Sequence, residues 1–235
     1  MKKIFSALLV LLATATFAQT DDDTDSSIYY LIQTPQEKSD NPPMIVLLHG
    51  FGSNEEDLFS LKEVLPKNYY IVSVRAPFKM EEGSYMWSSL SVENKKVKSN
   101  PVEALASCDS LIKLIARIKE KYQLGNSPVY WMGFSQGAMM CYTLAIVKKM
   151  PMTGLIAMSG RMNDEAKAAL TGFTPDASLR VFISHGKQDE VISIQLGMEA
   201  NNLLKEKLKF VQFKEYEAGH EINEAMLKDL VEWLK

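Results

Sequence analysis

Val129-Tyr130-Trp131-Met132-Gly133-Phe134-Ser135-Gln136-Gly137-Ala138-Met139-Met140 is the stretch on which the reading of this chain turns. A short apolar run of strand character leads into Gly-x-Ser-x-Gly, and an apolar, helix-like run follows as far as residue 148. A serine on a tight strand-to-helix turn is pushed out at the carboxyl edge of a sheet, and the flanking glycines permit a crowded backbone that side chains would block. The helix that begins behind the serine aims backbone N–H groups at the same spot. Gly-x-Ser-x-Gly alone arises often by chance. The strand before it and the helix after it make it informative.

Outward from this turn, strand-like runs occupy residues 28–32, 44–48, 70–74, 129–132, 155–158, 180–184 and 211–216, most too uniformly apolar to have a wet face. Helix-like segments with apolar residues at three- and four-residue steps occupy 101–122, 136–148, 194–208 and 221–234; Leu111, Leu114, Ile115 and Ile118 show the pattern. Buried strands alternating with amphipathic helices predict an α/β fold with a mostly parallel central sheet covered on both faces, since a parallel crossover needs a helix-sized connection. Residues 78–100 lack periodicity and are long enough for an active-site loop. There is no internal repeat.

The amino end reads as an export signal. Met1-Lys2-Lys3 is followed by an apolar run from Ile4 and then by small residues around Thr16 and Ala18, which places cleavage before Gln19. About a dozen apolar residues cannot span a bilayer that needs roughly 20. Residues 1–18 are therefore expected to be a signal peptide, 19–27 a polar, acidic leader and 28–235 one domain, working in the periplasm or secreted, with no transmembrane segment once the signal is gone. The formal charge of −3 becomes −5 on loss of Lys2 and Lys3, and no basic stripe remains, so nucleic acid is not an expected partner. Cys108 and Cys141, the two cysteines, lie in apolar helix-like segments and suit buried thiols or one disulfide. Neither their number nor their spacing suggests a metal site.

A serine hydroxyl needs a base to become a nucleophile at neutral pH, and the chain offers three histidines: His49, His185 and His220. His220 follows the last strand in Ala218-Gly219-His220-Glu221, the position of a base when nucleophile, acid and base succeed one another along the chain. The acid is then expected after the preceding strand, in His185-Gly186-Lys187-Gln188-Asp189-Glu190-Val191. Asp189 is the choice, with Glu190 as local competitor; Asp164 and Asp176 lie on other connections. Its carboxylate would hold the imidazole of His220 toward Ser135 and stabilise the imidazolium. His185 would shape the acid loop. Oxyanion donors are expected from the backbone N–H of Phe51, in the glycine-rich turn His49-Gly50-Phe51-Gly52, and of Gln136, with His49 bracing that turn.

Three blocks together resemble the phospholipase/carboxylesterase family of α/β hydrolases, which includes the acyl-protein thioesterases. They are Leu48-His49-Gly50-Phe51-Gly52, Gly133-Phe134-Ser135-Gln136-Gly137-Ala138, and His185-Gly186-Lys187-Gln188-Asp189 followed by Gly219-His220. The resemblance implies an α/β-hydrolase fold without a large lid domain and a catalytic triad at Ser135, Asp189 and His220. In the segment Gly83-Ser84-Tyr85-Met86-Trp87-Ser88-Ser89 the family's tryptophan is matched by Trp87, but its following aromatic residue and aspartate are replaced by Ser88 and Ser89. Trp87 is carried over as a wall of the acyl pocket, with simple packing of the loop as the alternative. The expectation is a carboxylesterase that forms an acyl-enzyme at Ser135, takes short to medium acyl groups of a small-molecule ester, and needs no cofactor. A thioesterase or lysophospholipase for longer chains, or an esterase of acylated polysaccharides, is the alternative; a peptidase or a non-catalytic binding module fits less well.

Overall fold

The structure, a computed structural model, describes residues 17–19, 28–93 and 96–235. The predicted signal and leader thus lie outside the described residues, apart from a three-residue strand, β1 (Phe17–Gln19), which pairs antiparallel with β2 (Tyr30–Gln33). The expected cleavage before Gln19 falls within β1.

Eight strands form the central sheet. Beyond β2 come β4 (Tyr70–Val74), β3 (Met44–Leu48), β9 (Val129–Phe134), β10 (Gly154–Met158), β11 (Arg180–Gly186) and β12 (Phe210–Tyr216), in that order. The pairing from β4 to β12 is parallel throughout, and β2 runs antiparallel to β4. The uniformly apolar strands are buried on both faces, as parallel sheets require: every residue of β3 and β10 is buried.

Alternation along β3 divides the core. Val46 and Leu48 join Leu111, Leu114 and Ile115 of α2 (Pro101–Lys121), Met140 of α3 (Gln136–Tyr142), Ala166 of α4 (Asp164–Ala169) and Leu204 of α5 (Ile194–Lys205). Ile45 and Leu47 join Leu58 of α1 (Glu55–Phe59) and Met226, Leu230 and Leu234 of α6 (Glu224–Leu234). Asparagines fix several helix starts: Asn54, Asn100, Asn163 and Asn223 each accept a backbone N–H of the first turn. Asn223 in that role is why α6 begins at Glu224 and not at residue 221. Helix α3 passes into a π-helical segment, Thr143–Val147.

Residues 78–100 do not form a plain loop. They fold into two hairpins, β5 (Phe78–Glu81) with β6 (Ser84–Met86) and β7 (Leu90–Glu93) with β8 (Lys96–Ser99). Both lie beyond the carboxyl ends of β4 and β3 in chain order, and both contribute to the site described next. Cys108 and Cys141 are buried free thiols, the Cys108 thiol being pushed up to about 12 by burial.

Candidate active site

The turn between β9 and α3 is built by contact. Ser135 adopts φ 54°, ψ −113°, a conformation that costs a side-chain-bearing residue strain and that the surrounding packing must impose. A Cβ on Gly133 would lie 2.2 Å from the backbone of Gly137, and one on Gly137 would lie 2.0 Å from the carbonyl oxygen of Leu48. Only glycine lets β9, β3 and α3 meet this closely. The Ser135 N–H donates to the Met158 carbonyl at 2.9 Å, tying the turn to β10.

At this turn the structure brings three of the expected residues into one hydrogen-bonded row. His220 Nε2 lies 2.9 Å from Ser135 Oγ, and His220 Nδ1 lies 2.8 Å from Asp189 Oδ2. The Asp189 side chain is buried, and its Oδ1 accepts the N–H groups of Val191 at 2.9 Å and Ile192 at 2.8 Å. Two fixed dipoles therefore stabilise the carboxylate without using the oxygen that faces His220. Glu190 is exposed and has no hydrogen bond to His220 among the described residues. Gly186 makes the convergence of the two loops possible, since a Cβ there would lie 2.2 Å from the Gly219 carbonyl oxygen. Phe134 packs its ring 4.9 Å from the imidazole of His220.

His185 is buried, with Nε2 2.7 Å from the Ile192 carbonyl and 3.3 Å from Asp189 Oδ2. The carbonyl requires a proton on Nε2, so the ring holds the far side of the acid loop in place. Burial drives its pKa below the usual histidine value.

The turn at His49–Gly52 lies against the serine: a Cβ on Gly50 would be 3.5 Å from Ser135 Cβ. Phe51 and Gln136 line the same cavity as Ser135, and their backbone N–H groups have no acceptor among the described residues. His49 is neutral by geometry, with Nδ1 donating to the Gly50 carbonyl at 2.8 Å and Nε2 accepting the Ala76 N–H at 3.0 Å; burial lowers its pKa. The β5–β6 hairpin holds the other side of the turn. Gly52 N–H donates to the Tyr85 carbonyl and Tyr85 N–H to the Ser53 carbonyl, each at 2.9 Å.

Trp87 does not line the pocket. It is fully buried, its indole N–H donating to the His49 carbonyl at 2.9 Å and its ring 5.3 Å from that of His49. Of the two roles expected for it, packing is the one observed, because the indole lies beneath the oxyanion turn. The side chain of Gln136 contributes something no sequence signal revealed. Its Oε1 accepts the Trp87 N–H at 2.9 Å and its Nε2 donates to the Ser88 carbonyl at 2.7 Å, clasping this segment to the serine turn.

Ser135 and His220 open onto a cavity of about 610 Å³ whose apolar walls include Phe51, Leu90, Val97, Met139, Ile192 and Leu196. Among the described residues no three His, Cys, Asp or Glu side chains converge as a metal site would require. The arrangement is chemically competent for acyl transfer. A hydroxyl faces a basic nitrogen, a carboxylate backs the imidazole, and two unspent N–H groups stand beside the hydroxyl.

The sequence profile of the phospholipase/carboxylesterase family matches residues 29–235. The chain belongs to this family. Membership makes it a serine hydrolase of the α/β-hydrolase fold, in agreement with the sheet and turn described above. Relatives in the family include acyl-protein thioesterase 1 of Candida albicans, 23% identical over 221 residues covering 87% of this chain and 96% of that one. Carboxylesterase SOBER1 of Arabidopsis thaliana is 28% identical over 205 residues, covering 81% and 89%. Among solved structures, a carboxylesterase from Mesorhizobium loti superposes with a TM-score of 0.78 at 19% identity, covering 93% of this chain and 98% of that one. The likeness to that structure is one of fold.

Proposed function

We propose that this member of the family is a carboxylesterase that works through an acyl-enzyme on Ser135. The observation that carries the reading is the row Ser135 Oγ, His220, Asp189, at 2.9 and 2.8 Å, on the wall of an apolar cavity. In this reading Ser135 Oγ attacks the ester carbonyl while His220 Nε2 takes its proton, and Asp189 keeps the imidazole in the tautomer and orientation that the transfer needs. The oxyanion is received by the N–H groups of Phe51 and Gln136, each such donor typically being worth about 3 kcal/mol. The protonated imidazole passes its proton to the departing alcohol, and a water activated by the same nitrogen releases the acid. Ser135→Ala should abolish turnover of 4-nitrophenyl butyrate and labelling by a fluorophosphonate, with an unchanged unfolding midpoint. Undiminished turnover would overturn the assignment.

A thioesterase or lysophospholipase acting on longer acyl chains is the second reading. The observation in its favour is the exposed apolar rim of the cavity, with Phe51, Leu90, Val97 and Val191 all open to solvent. A series of 4-nitrophenyl esters from C2 to C16 separates the two: a maximum above C10 selects the longer-chain reading. For location, the basic, apolar and small-residue succession of residues 1–18 supports export to the periplasm or beyond. Mass spectrometry of the protein recovered outside the cytoplasm should find an amino terminus at or near Gln19, whereas recovery of the full-length chain in the cytoplasm alone would refute export.

A further inference from the structure

The β7–β8 hairpin borders two spaces of opposite character. Leu90 and Val97 line the apolar cavity that holds Ser135 and His220. Ser91, paired in register with Lys98, instead lines a second cleft of about 420 Å³. Arg161 and Asp164 belong to the walls of both, so the two spaces adjoin there. Arg161 is close to the nucleophile along the chain's path as well: a Cβ on its neighbour Gly160 would be 3.1 Å from the Ser135 carbonyl oxygen.

The cleft is polar. It presents the Ser91 hydroxyl, the carboxylates of Asp164 and Glu165, and the guanidinium of Arg161, while the Ser99 hydroxyl is paired with Ser88 Oγ at 2.5 Å and that of Ser89 faces the Glu103 carboxylate. Ser89 stands where the family segment resembled above carries an aspartate. Glu93 and Lys98, also on its wall, neutralise one another at 3.0 Å. Much of the remaining hydrogen-bonding capacity is unspent. Ser91, Asp164 and Glu165 make no side-chain hydrogen bond or ion pair among the described residues, and Arg161 commits only Nη2, to the Val97 carbonyl at 2.6 Å. The volume suits a small ligand, whose sites span about 300–1,000 Å³.

The charge pattern selects the ligand chemistry. An anion would meet the carboxylates of Asp164 and Glu165, a cation would meet Arg161 and Lys98, whose ammonium is paired with Glu93 and also attracts those two carboxylates, and an apolar group would strand them all from water. A neutral group with several hydroxyls satisfies both kinds of wall, donating O–H to the carboxylates and accepting N–H from the guanidinium. We propose that the alcohol half of the substrate is a sugar or similar polyol, seated in this cleft while its ester carbonyl lies at Ser135. The proposal rests on the esterase reading and narrows it: the acyl group passes to Ser135 Oγ, the sugar oxygen leaves with the proton from His220, and water completes hydrolysis to the acid and the free polyol.

The test keeps the acyl group constant and varies the alcohol, using butyrate esters of ethanol, glucose, glycolate and choline beside 4-nitrophenyl butyrate. The glucose ester should exceed the ethyl ester in kcat/KM by about tenfold or more, the worth of one or two net hydrogen bonds to charged groups. Glu165→Ala and, as a second variant that fills the cleft, Ser91→Leu should each bring that ratio to within about threefold of unity, and methyl glucoside should inhibit competitively. Equal rates for glucose and ethyl esters, or a preference for the glycolate or choline ester, would overturn the proposal. The aryl ester keeps the two readings apart. Turnover of it that is lost in Ser135→Ala upholds the esterase even where the sugar preference is absent, and failure with every ester removes both.

Discussion

Asp189 and Glu190 are chemically alike and adjacent, so sequence alone separates them only by loop position. What distinguishes them in space is the pair of N–H groups from Val191 and Ile192 that grip Asp189 Oδ1 and leave Oδ2 for His220, while Glu190 is turned to solvent. Asp189→Asn should therefore be a clean substitution. The amide oxygen can keep both backbone donors, but the amide NH2 then faces His220 Nδ1 and imposes the tautomer that places a proton on Nε2, where a base is required. Activity toward 4-nitrophenyl butyrate should fall by about 10³–10⁴-fold with little change in the unfolding midpoint, and Glu190→Gln should stay within about twofold of the parent. Steady-state kinetics of the two variants side by side decide it. Ser135 and His220 were legible because their flanking strand, turn and helix are local. The burial of Trp87 was not, since a tryptophan carries the same sequence signal whether it walls a pocket or supports a loop from beneath.

At the scale of elements, central strands such as β3 and β10 announced themselves because burial on both faces leaves no room for polar residues, and α2, α5 and α6 because they run for several turns. The five residues of α1 and six of α4 are too few to display a 3.6-residue period. The hairpins within 78–100 escaped for another reason. Their strands span three or four residues, so the alternation in Phe78-Lys79-Met80-Glu81 and Leu90-Ser91-Val92-Glu93 is too short to stand out, and β7, exposed along its whole length, buries no face that would extend it. The join between the serine turn and the Trp87–Ser88 segment depends on one amide. Gln136→Ala would leave the buried Trp87 N–H and Ser88 carbonyl without partners, and urea denaturation should show a loss of about 1–3 kcal/mol. Gln136→Glu should recover part of that loss, since a carboxylate oxygen still accepts the Trp87 N–H.

For the whole molecule, two buried histidines link stability to pH. His49 and His185 both have pKa values lowered by burial, so the native state keeps them neutral while the unfolded chain takes up protons as pH falls through the ordinary histidine value of 6.5. Their contribution is complete above that value and is lost as pH drops below it toward the folded values. The unfolding midpoint should accordingly decline between pH 7.5 and pH 5.5, and His49→Gln should decline less steeply than the parent; parallel slopes in a thermal-shift series would contradict this. The parallel sheet that this stability protects was foreseeable as a class from the alternation of buried strands and amphipathic helices. Its order was not, because a strand's neighbours are set by crossovers that leave no mark on its own residues. That order bears on how the chain comes into being. In the middle of the sheet Met44 pairs with Val129, so β3 waits for everything in between before its second edge is covered. A nascent chain that has not yet reached β9 can already pair β4 with β2 and β3, but it leaves β3 with one unprotected apolar edge. Loop-closure entropy makes such distant pairings slow to form. During that interval the growing polypeptide is a natural client for holdase chaperones, and a fragment ending before Val129 is a candidate for aggregation, not for partial folding.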